Sequence, residues 1–156
     1  MITRTSAISA IRLTVASELE ALESLAGDAR DEATSSETKA EGKYDTRATE
    51  ASYLARGQAE RVASMRTLAA WFKRLPPDLV SDTVSLGALV ALEGERVDVL
   101  FVAPSGGERV TVDGVEVKTI SLAAPLGAAM MGLEEGDEFE VRSPGGQVAY
   151  EVVRLA

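Results

Sequence analysis

The chain has 156 residues, 46% of them hydrophobic, and a formal net charge of -9. It contains neither cysteine nor histidine, which excludes thiol nucleophiles, disulfides, imidazole general bases and every Cys/His zinc site. No apolar run approaches bilayer length, and the N-terminus MITRTSAISAIRL has no sustained apolar core before a small-residue cleavage site, so a soluble, cytoplasmic protein without membrane contact is expected.

The acidity is unevenly placed. Met1–Leu79 holds 11 basic and 12 acidic side chains, whereas Val80–Ala156 holds 5 and 13. Phosphate neutralisation needs Lys and Arg, so independent, sequence-specific DNA binding is not expected; an acidic domain of this kind usually means only solubility, and the functional reading beside it is a surface steered toward a basic partner.

From Ser6 to about Ala33, Ile8, Ile11, Val15, Leu19, Leu22, Ala26 and Ala29 recur three or four apart. This spacing predicts a long amphipathic helix with a narrow seam. Thr34–Tyr44 is polar and reads as a turn or tip. From Asp45 or Thr46 to Leu75 a second stripe runs through Leu54, Gln58, Val62, Met65, Ala69 and Phe72, and Pro76-Pro77 stops the helix. Ser17–Glu41 carries eight acidic residues against two basic, and Lys43–Arg74 carries seven basic against three acidic. Opposite signs favour pairing of the two helices as an antiparallel hairpin.

Pro76-Pro77-Asp78 reads as the boundary between a coiled-coil hairpin at 1–77 and a β domain at 78–156. Strands are predicted at Leu89–Leu92, around Val97, Val99 and Phe101, and at Val110–Val112 and Val115–Val117, the last two joined through Asp113-Gly114 as a type I′ hairpin. Pro125 opens a short helix and Gly132 closes it. Phe139 and Val141 then share one strand face, and Val148, Tyr150 and Val152 the return strand beyond Ser143-Pro144-Gly145-Gly146. The expected class is α+β: a helical hairpin followed by a small antiparallel sheet with one short helix.

Carboxylates crowd the tip, where Asp45 and Glu50 are the pair placed to converge at the start of helix two; an N-cap role for Asp45 or Thr46 is the plainer reading. Lys43, Arg47, Arg56, Arg61 and Arg66 follow, either as solvated partners of the acidic first helix or as contacts to RNA. Trp71 and Phe72 read as a packing joint at the hairpin base.

The helix Pro125-Leu126-Gly127-Ala128-Ala129-Met130-Met131-Gly132, then Gly136-Asp137-Glu138, an alternating strand, Pro144-Gly145-Gly146 and Tyr150-Glu151-Val152, resembles the C-terminal domain of the Gre transcript-cleavage factors of bacterial RNA polymerase. Gre factors usually carry serine where this chain has Ala124. Asp45, Tyr53, Ala55-Arg56 and Gln58 are similar to the tip of the Gre coiled coil; the family's second carboxylate falls three residues after the first, where this chain has Ala48, with Glu50 the next carboxylate.

The resemblance implies an FKBP-like C-terminal domain that docks on core RNA polymerase through Pro125, Leu126, Met130 and Met131. It also implies a coiled coil entering the secondary channel, with Lys43, Arg47 and Arg56 as channel or RNA contacts. The chain would then be no enzyme and would have no intrinsic cofactor; Asp45 and Glu50 would help hold Mg2+ only inside the polymerase complex, and nascent RNA would be reached indirectly. Three alternatives stand beside this: a Gre-like channel-binding regulator without cleavage activity, a plain coiled-coil adaptor, and an FKBP-like chaperone or prolyl isomerase. The last needs an aromatic-lined pocket, and Phe101, Phe139 and Tyr150 are the only aromatics after Pro77.

Overall fold

The structure, a computed structural model, describes residues 1–34 and 46–156. The chain divides into two compact units, Val15–Trp71 and a second one assembled from Met1–Thr14 and Phe72–Ala156. Two long helices, α1 (Arg4–Thr34) and α2 (Arg47–Arg74), form the helical hairpin. None of the described helices is long and apolar enough to cross a membrane.

Within Val15–Trp71 the seam on α1 is the expected one, with Val15 and Ala29 buried and Leu19, Leu22 and Ala26 partly so. On α2 it differs at one end. Leu54 is 51% exposed, while Ala51 is buried and Ala55 partly buried. The series 51, 55, 58, 62, 65, 69, 72 alternates steps of four and three and keeps a 3.5-residue period, whereas entering the seam at Leu54 requires two successive steps of four, which rotate the stripe off it. Arg66 donates to Glu23 Oε1 at 2.9 Å, so the complementary helix charges do meet.

The other unit holds a six-stranded sheet: β1 (Leu89–Glu93), β2 (Val97–Ala103), β3 (Arg109–Val112), β4 (Val115–Ser121), β5 (Glu138–Ser143) and β6 (Gly146–Leu155). A short helix, α3 (Pro125–Met130), lies between β4 and β5 in sequence. The strand order is β3-β4-β2-β1-β6-β5. The α+β class holds, but the sheet is mixed rather than wholly antiparallel, because β2 and β4 pair in parallel. The loop after β2 carries the chain past the neighbouring lane, β3 takes the edge, and β4 returns into the gap in the direction of β2. The return is the anticipated tight turn, with Asp113 at φ 50 and Gly114 at φ 79, the two positive values that a type I′ hairpin requires.

One sheet face carries the main core of Val90, Leu92, Leu100, Val102 and Val152 with Val84, Ala88 and Met130. Phe139 and Tyr150, directly opposite each other on β5 and β6, stack at 5.6 Å and pack against that core, as the alternation predicted. Phe101 points to the opposite face, where its ring lies 5.6 Å from that of the fully buried Phe72.

Two arginines of the first turns of α1 finish this unit. Arg12 donates through Nε to the Phe72 carbonyl and through Nη2 to the carbonyls of Lys73 and Leu75. These are among the last carbonyls of α2, which have no partner within the helix and favour a cation. Arg4, buried at 5% exposure, donates to the carbonyls of Gly87, Pro76 and Pro77. Desolvation lowers the Arg4 pKa from its ordinary value, and the charge of Asp78 offsets part of that.

Candidate functional site

Two regions carry the residues singled out from the sequence. The first is the edge formed by α3. Pro125 stands at N1, where its missing N–H costs nothing, and Ala124 holds the N-cap position at φ -71, ψ 146 without a side-chain cap. The Ala128 amide donates to the Ala124 carbonyl at 2.8 Å. Gly127 is fixed by proximity: a Cβ there would collide with the Ser121 carbonyl, so the helix lies directly on the end of β4. Gly132, at φ +80, ends the segment; its amide donates to the Val84 carbonyl, and the Val84 amide donates to the Leu133 carbonyl, both at 2.8 Å.

This anchoring sorts the four expected docking residues by depth. Met130 is fully buried in the core, Leu126 is half-buried against it, Pro125 is exposed, and Met131 is 49% exposed. The exposed apolar surface of this edge is therefore Pro125, Met131 and part of Leu126, with Met130 buried beneath. Val80 adds exposed apolar surface in the same unit, at 81%.

The second region is the start of α2. Thr46 precedes the helix; its carbonyl accepts from the Glu50 amide at 2.9 Å, and its hydroxyl donates to Glu50 Oε1 at 3.3 Å. Glu50 is exposed and is the acidic residue of the helix's first turn, where the helix dipole favours a negative charge. Asp45, its expected partner, lies outside the described residues, as do Lys43 and the side chain of Arg47. Arg56 is exposed and lines a surface hollow of about 360 Å³ with Thr49, Ser52 and Tyr53. The sequence pointed to Tyr53 and Arg56 but not to the Thr49 and Ser52 hydroxyls beside them. Their signal was the spacing 49, 52, 53, 56, one face over two helical turns.

As for magnesium, among the described residues no group of three or more acidic side chains converges to hold a metal ion. Glu50 offers a single hard oxygen ligand, so the described part of the chain does not by itself make a magnesium site, and no chemical step is assigned through one. The aromatic pocket of a prolyl isomerase is not formed either: Phe101 lies on the sheet face opposite Phe139 and Tyr150.

Comparison with known proteins adds a family. The family described as transcription elongation factor, GreA/GreB, C-term matches residues 79–156. Among curated proteins, the transcription elongation factor GreA of Cereibacter sphaeroides (strain ATCC 17023) is 27% identical over 95 residues, covering 61% of this chain and 62% of that protein. GreA of Jannaschia sp. is 32% identical over 82 residues, covering 53% and 51%. The chain thus spans 51% to 62% of the length of these curated relatives. Among solved structures it is similar to the GreA factor homolog 1 protein of Thermus thermophilus, with 20% identity, 93% and 94% of the two chains covered, and a TM-score of 0.37. It is also similar to a transcription elongation factor GreA/GreB from Nitrosomonas europaea, with 23% identity, 69% and 92% covered, and a TM-score of 0.37.

Proposed function

This chain belongs to the GreA/GreB family of transcription elongation factors, and from that premise we propose that it binds core RNA polymerase through the α3 edge and acts there as an accessory factor. The observation that carries the reading is the match over residues 79–156 to a unit whose α3 is locked to β4 and to Val84 yet leaves Pro125 and Met131 outside. A rigid helix with an exposed apolar edge presents a preorganised contact, which limits the ordering cost of association.

In this reading the hairpin of α1 and α2 enters the secondary channel, and Glu50, together with Asp45, supplies oxygen ligands to a magnesium ion that the polymerase brings. The chain's own share is to place carboxylate charge and to keep the Arg56 guanidinium and the Tyr53 and Thr49 hydroxyls facing phosphates or channel walls.

A second reading, channel binding without cleavage, is favoured by a specific contact. The Thr46 hydroxyl already donates to Glu50 Oε1, which engages one of the two carboxylate oxygens that a metal ion would need. Gel filtration of the purified chain with core RNA polymerase tests the binding, and transcript cleavage in backtracked complexes separates the two readings. Co-elution that Pro125→Ala with Met131→Ser abolishes supports docking at α3; unchanged co-elution of the folded double variant removes it. Stimulated cleavage that Glu50→Gln abolishes supports the first reading, and unchanged or lowered cleavage with wild-type chain supports the second.

A further inference from the structure

The sheet face opposite the main core carries an apolar groove that the α3 surface does not use. It has a volume of about 250 Å³ and is lined by Leu89, Ala91, Val97, Val99, Val115 and Arg154 among others. Strand register puts these residues on one face: Ala91 is opposite Val99 on β2 and opposite Arg154 on β6, and Glu93 is opposite Val97. Val97 is 59% and Val115 41% exposed, so the groove opens to solvent between β-branched side chains.

The next position along the same face is charged. Glu93 on β1 stands opposite Glu151 on β6, and Glu151 stands opposite Glu138 on β5. Three exposed carboxylates therefore form a row across three adjacent strands, about 7 Å along the strand from Ala91. Like charges directly opposite each other are unfavourable, and none of the three has an ion pair among the described residues. Of the cations of this half of the chain, Arg154 lines the groove itself and Arg142 stands further along β5 on the side of Glu138, and neither makes an ion pair with the row among the described residues. The others, Arg96, Arg109 and Lys118, pair with Asp98 and Glu116 near the β3 and β4 side of the sheet.

We propose that this face is a docking site for a basic amphipathic helix of a partner protein, with its aliphatic side chains in the groove and its Lys or Arg side chains on the Glu93–Glu151–Glu138 row. The charge decides the sign of the partner: the row repels phosphates and acidic lipid and is relieved only by cations. Size decides its class. A volume of about 250 Å³ falls below the roughly 300–1,000 Å³ of small-molecule sites and admits one or two aliphatic side chains, as helix-in-groove recognition does. The groove lies on a sheet face, away from the edge strands β3 and β5, so an added strand has no backbone groups to pair with there. Arg154, a cation lining the groove, favours the carbonyl end of the bound helix at its side. This inference is independent of docking at α3.

Fluorescence anisotropy with the full chain and a labelled model helix bearing a leucine face and a lysine face tests it. Saturable binding is expected, weakening as salt rises. Val97→Thr with Val115→Thr, which keeps strand shape, should raise Kd about tenfold or more, and so should Glu93→Gln with Glu151→Gln and Glu138→Gln. The same helix with serine in place of leucine, or glutamate in place of lysine, should bind at least about tenfold more weakly. Absence of binding, equal binding of either control helix, or an unchanged Kd in variants with the wild-type thermal melt would each overturn the proposal. So would a self-associated chain in sedimentation velocity that the valine substitutions dissociate, since the groove would then belong to a second copy.

Discussion

Arg4 donates to three carbonyls far away in sequence, those of Pro76, Pro77 and Gly87, from a site that water hardly reaches. Replacing it by methionine keeps an apolar stem but strands those acceptors. Hydrogen bonds to charged groups contribute more than neutral ones, so Arg4→Met is expected to cost about 3 kcal/mol, read as a lowered urea midpoint with unchanged slope. At α3 two small residues work in opposite senses. Ala124 leaves the N-cap empty, and Ala124→Ser should stabilise the chain by about 1 kcal/mol, seen as a rise in Tm of roughly 2–4 °C. Gly127 has no such latitude, because the Ser121 backbone carbonyl occupies the space of a side chain. Gly127→Ala should therefore cost more than about 2 kcal/mol even though alanine is the better helix former; a stability equal to wild type would show that α3 can lift from β4.

At the scale of elements, the α2 seam shows how pattern and packing part company. Leucine at 54 is the stronger hydrophobe, but its position lies off the stripe that Val62 and Phe72 define, and Ala51 and Ala55 fill the seam instead. Val62→Ala should cost about 2 kcal/mol for its two buried methyl groups and the space they leave, whereas Leu54→Ala should stay within about 0.5 kcal/mol. Chemical denaturation of the two variants separates the registers. The strands were legible because period-two alternation coincides with one buried face, and the Asp113-Gly114 turn because few dipeptides tolerate two positive φ values. The parallel pairing of β2 with β4 was not legible: strands that pair with another strand between them in sequence leave no local mark on either sequence.

For the molecule as a whole, the charge balance pointed to more than it specified. The excess of 13 acidic over 5 basic side chains after Leu79 fits plain solubility as well as a basic partner, and only the strand register shows where uncompensated carboxylates meet apolar surface. Docking through α3 was read from the order of small motifs, yet that order could not say that Met130 faces inward and Met131 outward; burial by the core decides it. Arg4 and Arg12 escaped notice because arginines on the first turns of a helix look like ordinary solvated charges until the distant carbonyls are placed. A fragment comprising 78–156 lacks Phe72, Arg4 and Arg12, so Phe101 loses its ring partner. Such a fragment should bind an apolar dye and melt below the full chain; an equally stable, dye-silent fragment would show that the sheet needs no cover on that face.

The discontinuity of the sheet unit has a consequence for how the chain is made. Its first piece, Met1–Thr14, leaves the ribosome with Ile2, Ala7, Ile8 and Ile11, all destined for burial, and 57 residues, Val15–Trp71, must follow before Phe72 begins the second piece. At about 5–20 residues per second, that is an interval of roughly 3–11 s during which these side chains have no final cover. Vectorial synthesis thus delivers this apolar stretch early and the strands that complete its unit late. A chaperone that recognises short apolar stretches as they emerge has its longest window there, and slowing translation before Phe72 should lengthen it.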